Sequence, residues 1–369
     1  MPYNTPILNE LARRLDLHVI YMSSKDRVTR FADLWGDEPQ FDYSFFWSRA
    51  LTSAAVDLRA SFSIGISRRL SRLRPDAILV RSWQPLVLEP VLWSRLSGRA
   101  AIMWSESTRF SGVMRGAMST ALRRALLQSV DSFVSNGSQA TVYLRELGVP
   151  EGKIVTSRLP AGSTLLAPGS AARSSAEGDM TVRFLYVGRL IPQKRPLELI
   201  ETFATVRREV PDTTLTLVGG GLLESKVRDA AQRASGVRYV GFREGLELAH
   251  HYAESDVLVL PALREVWGLV VNEALAHGLF VVATDEVGSA YDLLGEQTGL
   301  MVPANDLARF GSALVETART LDVSSDARRA RADAVSDCTP ERFAADIVEA
   351  ADLALSRKSG RQGASRRSR

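Results

Sequence analysis

Three short segments in the second half of the sequence carry residue types that bind anions. In the first, Gly188, Arg189 and Lys194 follow the apolar stretch FLYV. A glycine at the end of a strand lets a ligand approach the backbone, and two cations five residues apart can both reach one diphosphate. An ordinary solvated loop with surface charges has the same composition, so this segment alone does not establish a binding site.

The second segment is the glycine run in LVGGG, residues 217–221, at a predicted strand-to-helix turn. Gly219 and Gly220 bring backbone N–H groups and a helix N-terminus toward an anion. Tight turns also need glycine for steric reasons, which makes the run weak evidence when it is taken alone.

The third segment places two carboxylates, Glu265 and Glu273, eight residues apart on either side of Gly268. Gly268 is predicted to open a helix, so Glu265 lies where the free backbone N–H groups of the helix gather. Glu273 lies inside that helix in the apolar sequence LVVNEALA, whereas a helical carboxylate is usually on a solvated face. Both carboxylates can therefore face one cleft.

Short apolar segments alternate with amphipathic helical segments along the chain, a pattern typical of βα units and parallel sheets. In the first half, strands are predicted at 17–21, 77–80, 100–104 and 132–134, and helices at 5–14, 49–73, 85–97, 112–129 and 137–147. In the second half, strands are predicted at 184–187, 215–218, 237–240, 257–260 and 280–283, with helices at 196–209, 246–253 and 268–277. In such folds ligands bind at the carboxyl ends of strands and between domains.

A change of composition marks the predicted domain boundary. Residues 160–180 are rich in Ala, Gly, Ser and Pro, which is typical of a linker. We therefore predict two Rossmann-like α/β domains, at 1–165 and 180–338, and a last helix at 339–356. The basic tail, 357–369, has no apolar residue larger than alanine and is predicted to be disordered. The chain starts shortly before its first predicted helix, so we expect a first domain that lacks its opening strand.

The overall composition is that of a soluble globular protein. The 369 residues are 45% hydrophobic and 24% charged, which excludes a disordered or fibrous protein and a small disulfide-rich one. Residues 1–170 carry 21 Lys and Arg against 14 Asp and Glu, whereas 171–356 carry 19 against 28, so the two halves are expected to meet different partners. The basic charge of the first half is scattered and no recognised motif accompanies it, so nucleic acid is not an expected partner.

The expected location is the cytoplasm. Cys338 is the single cysteine, which fits a reducing compartment. The N-terminal sequence lacks the basic start and apolar core of a signal peptide. No apolar run approaches the roughly 20 residues that cross a bilayer.

Taken in order, the motifs resemble the retaining, nucleotide-sugar-dependent glycosyltransferases of family 4 (glycosyl transferases group 1), which have the GT-B fold of two Rossmann-like domains facing a cleft. The resemblance rests on GRL-x3-K, the glycine turn, E-x7-E and EALAHGLFVVATDEVG, and covers most of residues 181–310. In the first half, RPDAILVRS and SVDSFVSNGSQATVYLRELGVPEGKI look like the acceptor domain. TPERFAADIVEAADLAL looks like the C-terminal helix that crosses back onto that domain.

The resemblance implies a role for each of the charged residues. Arg189 and Lys194 would hold the donor diphosphate and stabilise it as it leaves. Glu273 would accept hydrogen bonds from the ribose hydroxyls, and Glu265 would lie beside the transferred sugar. The sequence contains no Asp-x-Asp pair, so neither a metal nor another cofactor is expected and the two cations would take the place of the metal.

The resemblance also assigns residues around the phosphates and the base. Backbone groups near Trp267, Gly268 and Leu269 would complete the phosphate cradle. Gly188, Gly219 and Gly220 would let the nucleotide lie against the sheet edge, and the region 241–243, with Phe242 and Arg243, would meet the nucleobase. Family members often place a histidine of the first domain near the reacting sugar. Here the first domain offers only His18, which is interpreted as structural, as are His250, His251 and His277.

On the acceptor side, Trp83, Trp104 and Glu106 follow predicted strand ends of the first domain. Aromatic rings stack on sugar faces, and a carboxylate can accept a hydrogen bond from a hydroxyl. The stretch 111–128 alternates apolar residues with cations, which favours either an anionic membrane surface or ordinary packing on the sheet. Its apolar residues and cations are Met114, Met118, Leu122, Leu126, Arg115, Arg123 and Arg124.

The resemblance thus implies an enzyme that moves a hexose-type sugar from a UDP- or GDP-sugar to a glycan or lipid-linked acceptor, with retention of configuration. The expected setting is bacterial cell-surface polysaccharide or glycolipid synthesis, at the inner face of the plasma membrane. Two alternatives stay open: a degenerate nucleotide-sugar-binding protein without catalysis, and a GT-B-like nucleotide-sugar epimerase. A dinucleotide-dependent oxidoreductase fits less well, because LVGGG lacks the G-x-G-x-x-G spacing.

Overall fold

The computed structural model describes residues 4–22, 38–46, 49–53, 58–62, 65–81, 85–111, 117–160 and 181–367. The chain divides into two compact units. Unit 1 comprises Met1–Arg158 together with Pro340–Arg369, and unit 2 comprises Leu159–Thr339.

Unit 1 contains a parallel sheet of four strands in the order β5-β6-β7-β8. A parallel pair, β1 and β2, and an antiparallel pair, β3 and β4, precede it. The strands of unit 1 are β1 (His18–Tyr21), β2 (Asp42–Phe45), β3 (Arg49–Ser53), β4 (Leu58–Phe62), β5 (Ala77–Arg81), β6 (Ala100–Ser105), β7 (Ser132–Asn136) and β8 (Ile154–Ser157).

Helices precede or connect these strands and bury apolar side chains. Before the second unit they are α1 (Thr5–Ala12), α2 (Ile66–Leu73), α3 (Leu88–Leu96), α4 (Ala117–Gln128) and α5 (Gly137–Glu146). The core around the four-stranded sheet includes Val91, Met103, Val130, Phe133 and Leu144. The sequence predicted one helix over 49–73, and this was wrong. Residues 49–53 and 58–62 form the β3–β4 pair instead, because cross-strand pairing overrides local propensity, and Gly65 at φ +96° begins the helix anew.

The final helix of the chain also belongs to unit 1. Helix α13 (Pro340–Arg367) contacts α1 and strands β6, β7 and β8. Phe343 is fully buried with its ring centroid 4.9 Å from that of Trp104, and Asp346 accepts a hydrogen bond of 2.6 Å from Ser157. Buried residues recur along one face of this helix at Phe343, Ala344, Ile347, Ala350 and Ala354.

Helix α13 runs further than the sequence predicted. Disorder was expected from residue 357, but the helix continues to Arg367. Arg357 donates to the carbonyl of Gly152 at 2.8 Å, and Lys358 pairs with Asp131 at 3.3 Å. A helix that packing has already begun gains one backbone hydrogen bond for each residue added, so it can extend without an apolar face.

Unit 2 is built on a six-stranded parallel sheet in the order β11-β10-β9-β12-β13-β14. The first strand of the unit, β9, therefore lies in the middle of the sheet. Strands β10 and β11 extend the sheet to one edge, and β12, β13 and β14 extend it to the other. This is the doubly wound order, in which the crevice for ligands lies where the winding reverses, here between β9 and β12. The strands are β9 (Val182–Val187), β10 (Thr213–Val218), β11 (Val237–Tyr239), β12 (Val257–Leu260), β13 (Phe280–Thr284) and β14 (Gly299–Val302).

Seven helices in the described part of unit 2 cover this sheet. They are α6 (Pro196–Glu209), α7 (Glu224–Arg233), α8 (Gly245–Ala253), α9 (Leu269–Ala276), α10 (Ala290–Leu293), α11 (Leu307–Thr320) and α12 (Ser325–Asp333). The core on one face includes Phe184, Phe203, Leu215, Val257 and Phe310, all at most 1% exposed. None of the described helices is both long and apolar enough to cross a membrane.

Candidate functional site

The three segments singled out in the sequence lie in loops at one edge of the unit 2 sheet. Gly188 follows β9, Gly219 follows β10, and Glu265 lies in the loop after β12. Carboxyl ends of parallel strands meet at the same edge, and β9 and β12 flank the point where the winding reverses. The fold therefore gathers these loops at the expected ligand crevice of this unit.

The loops after β9 and β10 cross in direct backbone contact. A Cβ atom on Gly219, whose φ is +145°, would lie 1.9 Å from the carbonyl oxygen of Gly188. A Cβ on Gly221, at φ +148°, would lie 2.8 Å from the carbonyl oxygen of Leu190. Steric fit of the two loops thus requires glycine at both positions. Gly220 is less crowded, and its carbonyl accepts a hydrogen bond of 2.9 Å from the N–H of Leu190.

The two cations of the first segment have different surroundings. Arg189 is exposed, and its carbonyl accepts a hydrogen bond of 3.1 Å from the hydroxyl of Tyr186. Lys194 ends a short 3-10 helix and is only 5% exposed. Its ammonium donates to the carbonyl of Arg264 at 2.8 Å and forms an ion pair with Glu265. The third ammonium N–H makes no hydrogen bond within the described residues, so it can be offered to an anion.

Burial lowers the pKa of Lys194, and the nearby charge of Arg189 lowers it further. The charge of Glu265 and its hydrogen bond oppose this shift. The three charged groups are thus coupled across the loops that follow β9 and β12. A buried cation held by one carboxylate is a preorganised partner for a second anion.

Glu265 lies in a loop that backbone hydrogen bonds join to the loop after β13. Its N–H donates to the carbonyl of Glu286 at 2.8 Å, and its carbonyl accepts from Gly288 at 3.0 Å. Gly268, at φ +94°, caps α9, and a Cβ there would lie 3.1 Å from Cγ of Glu265. The sequence therefore places Glu265 directly against the N-terminus of α9 (Leu269–Ala276), where backbone N–H groups are free to bind an anion.

Trp267 is an internal anchor of this loop. It is 5% exposed, and its indole N–H donates to Oδ1 of Asn272 at 2.9 Å. Asn272 is fully buried and donates in turn to the carbonyl of Leu159 at 3.0 Å. The contribution of Trp267 to a phosphate site is thus restricted to its backbone. Sequence analysis missed Asn272, although a lone amide in the apolar run LVVNEALA was a visible signal.

Glu273 lies one turn further along α9 and is partly buried. Its Oε2 accepts a hydrogen bond of 2.6 Å from the hydroxyl of Tyr252, a fully buried residue of α8. Its Oε1 has no hydrogen-bond partner among the residues that the structure describes. Burial raises the pKa of Glu273, and the Tyr252 hydroxyl opposes that shift. The arrangement fixes one carboxylate oxygen and leaves the other available for a ligand hydroxyl.

Tyr252 and His277 support Glu273, and the sequence did not reveal this. The Tyr252 and His277 rings stack with centroids 5.2 Å apart, and Nδ1 of His277 lies 2.8 Å from the carbonyl of Glu273. Tyr252 precedes Glu273 by 21 residues and belongs to another helix, so no local spacing connects the two. His277 is 1% exposed, and burial lowers its pKa.

The loop after β11 presents the two residues predicted to meet a base. Phe242 is 64% exposed, with its Cβ 3.8 Å from the position that a Cβ on Gly220 would occupy. Arg243 pairs with Glu247 at 3.3 Å. An exposed aromatic ring beside the glycine turn is available for stacking on a planar ligand.

The residues predicted for the acceptor side lie in unit 1, and Trp83 is outside the described residues. Trp104 is 2% exposed, and its indole N–H donates to Oδ1 of Asn136 at 2.8 Å. The guanidinium of Arg81 lies 4.6 Å from the Trp104 ring and pairs with Glu106. The ring of Trp104 is thus a core element of unit 1 rather than a stacking surface, because β6 is buried along its whole length.

The described part of residues 111–128 packs against other residues of unit 1. Arg123 is 5% exposed and donates to the hydroxyl of Tyr143, and Leu126 is 8% exposed. Arg124 is exposed and donates to the carbonyl of Glu146 at 3.2 Å. Met114 and Arg115 are outside the described residues. These contacts favour packing of α4 on unit 1 over the membrane interpretation of this helix.

No group of three or more His, Cys, Asp and Glu side chains arranged to hold a metal ion occurs among the described residues. The proposed phosphate-binding edge instead offers cations and backbone N–H groups. Cations and backbone N–H groups of this kind suit an anion.

Comparison with known proteins gives this arrangement a family context. Residues 181–319 match the family described as "Glycosyl transferases group 1". The matched residues lie within unit 2. All of the loops described above, from Gly188 to Glu273, lie within the matched residues.

Curated relatives extend the similarity beyond this domain. A glycogen synthase of Mycobacterium tuberculosis is 28% identical over 272 residues, which cover 70% of this chain and 63% of the relative. The chain thus spans less than two thirds of the length of that relative. A GDP-mannose-dependent alpha-(1-6)-phosphatidylinositol monomannoside mannosyltransferase of Mycolicibacterium smegmatis is 29% identical over 289 residues, covering 72% of this chain and 73% of the relative.

Solved structures establish the fold of the whole chain. Anabaena Alr3699/HepE in complex with UDP matches with a TM-score of 0.72 and 15% identity, covering 94% of this chain and 95% of that one. A glycosyltransferase from Rickettsia africae matches with a TM-score of 0.69 and 14% identity, covering 95% and 94%. The fold is GT-B, with two Rossmann-like α/β domains, and the prediction from sequence is confirmed.

Proposed function

We propose that this protein is a retaining glycosyltransferase of family 4 that transfers a hexose-type sugar from a nucleoside-diphosphate donor. The observation that carries the proposal is the meeting of Lys194, Glu265 and the N-terminus of α9 within the glycosyl transferases group 1 domain. Two cations, a carboxylate and free backbone N–H groups at one sheet edge match the charges that develop when a sugar–diphosphate bond breaks.

Each side chain then has a role in the breaking of that bond. The diphosphate gains negative charge as it leaves, and Arg189, the free N–H of Lys194 and the N-terminus of α9 stabilise it. The sugar gains positive charge, which Glu265 stabilises. Because these charges are fuller in the transition state than in the bound donor, the interactions lower the barrier more than they strengthen donor binding.

Retention of configuration follows from a reaction on one face of the sugar. The acceptor hydroxyl attacks from the side that the diphosphate leaves, and the departing phosphate oxygen takes the acceptor proton. This route needs no histidine as a base and no metal or other cofactor. It is consistent with a first domain whose one histidine, His18, is hydrogen-bonded to Ser44 at 2.9 Å.

Glu273 is the proposed contact to the ribose of the donor. Its free Oε1 can accept a ribose hydroxyl while Tyr252 holds Oε2. The exposed Phe242 and its neighbour Arg243 are the proposed contacts to the base. A UDP- or GDP-sugar is favoured because the Mycolicibacterium relative is described as GDP-mannose-dependent and Anabaena Alr3699/HepE is in complex with UDP.

The proposed acceptor is a glycan or a lipid-linked molecule, in bacterial cell-surface polysaccharide or glycolipid synthesis. The mannosyltransferase relative is named for a phosphatidylinositol mannoside, which supports a lipid-linked acceptor. We place the reaction in the cytoplasm, at the inner face of the plasma membrane. In unit 1, Leu92 and Leu96 of α3 are 57% and 80% exposed next to the exposed Arg95, a combination that suits an anionic lipid surface.

The first experiment is a thermal-shift panel with UDP, GDP, ADP and NAD, using the wild type, Glu273→Ala and the control Glu201→Ala. Glu201 is an exposed carboxylate on α6 (Pro196–Glu209). A ligand at 100 times its dissociation constant stabilises the folded protein by about 2.7 kcal/mol, and the expected result is a rise in Tm with one of the uridine or guanosine nucleotides. Glu273→Ala should reduce that rise and Glu201→Ala should not.

Turnover is then measured with the matching nucleotide sugar, and the anomeric configuration of the product is read by NMR. Arg189→Gln should lower kcat more than it raises the dissociation constant of the donor, with Arg233→Gln as the control. Donor binding without turnover would instead favour the degenerate binding protein. Release of an epimerised sugar without acceptor would favour the epimerase, and a flat panel from a cooperatively melting protein would contradict an intact donor site.

A further inference from the structure

The unit 2 sheet has a polar area on the face opposite its main core. Parallel sheets are usually apolar on both faces, because helices cover both. On one face, Phe184, Leu215 and Val237 are paired in register across β9, β10 and β11 and contribute to the core. Paired residues of parallel strands share a face and successive residues alternate. The neighbours of these three residues therefore lie on the other face.

Those neighbours are charged or hydroxylated. Arg183 is paired with Thr214, and Thr216 is paired with Arg238. Two guanidinium groups and two hydroxyls thus share one face over three adjacent strands, where aliphatic residues normally lie. These four side chains do not belong to the apolar core of the unit.

A cavity of about 520 Å³ opens over this polar area, between the sheet and the C-terminal end of α8 (Gly245–Ala253). The four side chains of the strands form its floor, and His251 and Ser255 contribute from the helix side. Its volume lies within the roughly 300–1,000 Å³ of small-molecule sites and is much greater than a single phosphate ion requires.

Several polar groups in this cavity have no protein partner. Within the residues that the structure describes, the guanidinium of Arg238 forms no ion pair or hydrogen bond. The hydroxyls of Thr214 and Thr216 and the ring nitrogens of His251 likewise form no hydrogen bond there. Polar groups in concave sites of folded proteins are normally satisfied by protein, water or ligand. A ligand with several acceptor oxygens would satisfy all of them.

The charges around the cavity favour an anion. Arg183, Arg238 and His251 line it, and Glu254 is the one carboxylate among the lining residues; it is paired with His250 at 3.2 Å. Burial, together with the positive charges of Arg238, His250 and Arg243, lowers the pKa of His251, and Glu254 opposes that shift. A bound anion would compensate the excess positive charge.

We propose that this cavity binds a small phosphomonoester. The phosphate would accept hydrogen bonds from Arg183, Arg238 and His251, and the hydroxylated body of the ligand would meet Thr214 and Thr216. Thr214 of β10 lies five residues before Gly219, which follows that strand, so the cavity is about 16 Å from the proposed donor site, near the opposite ends of the strands. The site is therefore separate from the donor site, and its occupation does not depend on the proposed activity.

The test is isothermal titration calorimetry of the full chain with glucose 6-phosphate, inorganic phosphate and glucose. The variants are Arg238→Gln, the control Arg233→Gln on the exposed face of α7, and Arg189→Gln at the proposed donor site. Glucose 6-phosphate should bind the wild type, Arg233→Gln and Arg189→Gln alike, and should bind Arg238→Gln at least about tenfold more weakly. Inorganic phosphate should bind more weakly than the ester, and glucose should not bind.

Equal affinity in Arg238→Gln and the wild type would overturn the proposal, as would binding that is lost in Arg189→Gln. Equal affinity for inorganic phosphate and the ester would overturn the assignment of an organic phosphate. A second measurement needs no charge-removing variant: NMR titration of the His251 ring, assigned with His251→Gln. Glucose 6-phosphate should raise the pKa of His251 by about one unit, and an unchanged titration would contradict the site.

Discussion

At the scale of single residues, the donor domain depends on carboxylates that are held by partners from other elements. Glu273 is bound by Tyr252 of α8, and Glu265 by Lys194 of the loop after β9. Each carboxylate thus has its orientation set before a ligand arrives. Because each side chain is already ordered, ligand binding does not incur the entropic cost of ordering it.

Removal of the Tyr252 hydroxyl tests this preorganisation. In Tyr252→Phe, Oε2 of Glu273 loses its 2.6 Å hydrogen bond while the packing of the ring is kept. Because hydrogen bonds to charged groups contribute about 1.5–3 kcal/mol, KM for the donor should rise about tenfold or more, with a smaller change in kcat. Steady-state kinetics measure the two separately. Tyr291→Phe, which changes an exposed tyrosine, is the control and should leave both unchanged.

The raised pKa of Glu273 has a consequence for stability. A carboxyl with a higher pKa in the folded than in the unfolded state binds protons more tightly when folded, so its contribution is fully present below the ordinary value of 4.5. The contribution is lost as the pH rises through the folded pKa. The unfolding free energy of the wild type relative to Glu273→Gln should therefore fall as the pH is raised from 4 to 7, in urea denaturation at each pH. A difference that is constant or that rises with pH would contradict this.

At the scale of elements, the crossing of two loops determines the shape of the proposed donor site. Gly219 at φ +145° leaves 1.9 Å between its hypothetical Cβ and the carbonyl oxygen of Gly188. Backbone atoms cannot yield as a flexible side chain can. A displacement of the turn after β10 therefore requires a matching displacement of the turn after β9.

Substitution of this glycine should disturb both loops. Gly219→Ala should lower the free energy of unfolding of unit 2 by about 2–4 kcal/mol, since it adds a clash to an unfavourable φ. It should also weaken nucleotide binding in the thermal-shift panel. Gly295→Ala is the matched control, because nothing lies within 4 Å of its Cβ position and no unusual φ is present there. Equal stability of the two variants would contradict the role of the crossing.

Helix α3 carries the surface proposed to meet a membrane, and α2 packs beside it. Leu96 is 80% exposed, and Arg72 and Arg95 are exposed nearby on the same two helices. The protein should cosediment with vesicles that contain anionic phosphatidylglycerol and not with neutral phosphatidylcholine vesicles, and salt should weaken the binding. Leu96→Asp should reduce binding, whereas Leu222→Asp, at an 82% exposed site of unit 2, should not. Equal loss in both variants would show that the α2–α3 surface is not specific.

At the scale of the whole molecule, the last helix of the chain completes the first unit. Phe343 of α13 is fully buried against Trp104 of β6, although more than 200 residues separate them in the sequence. Long-range closure of this kind costs little more entropy than a shorter loop, because the cost grows slowly with length. Unit 1 therefore depends on residues that follow unit 2.

This dependence gives a prediction for the two units separately. Phe343→Ala should cost unit 1 about 3–5 kcal/mol through the cavity that it creates, and should lower its melting transition while that of unit 2 stays in place. Differential scanning calorimetry measures both transitions. The control is Leu355→Ala on the same helix, at a site 38% exposed, where a change within about 0.5 kcal/mol is expected. An equal fall of both transitions would contradict the assignment of α13 to unit 1.

The sequence by itself determined five of the six strands of unit 2 and the order of its charged loops, and it missed β14 (Gly299–Val302). Short apolar strands, Gly188, Gly219 and the Glu265–Glu273 spacing are local features, because a strand, a turn and a helix start each depend on residues within about ten positions. The same local reasoning failed at 49–73, where pairing between β3 and β4 overrode helix propensity, and for the tail, where a packed helix extended into a polar sequence.

Only the tertiary structure decided which side chains meet. The fold brings Tyr252 to Glu273 and Lys194 to Glu265, and strand order places Arg183 and Arg238 around one cavity. No short spacing in the sequence encodes these arrangements. Burial is likewise a property of the assembled sheet: it placed Trp104 in a core although its type and position suggested a surface. Local pattern thus specifies elements, whereas contact, burial and the resulting pKa shifts depend on residues that are distant in the chain.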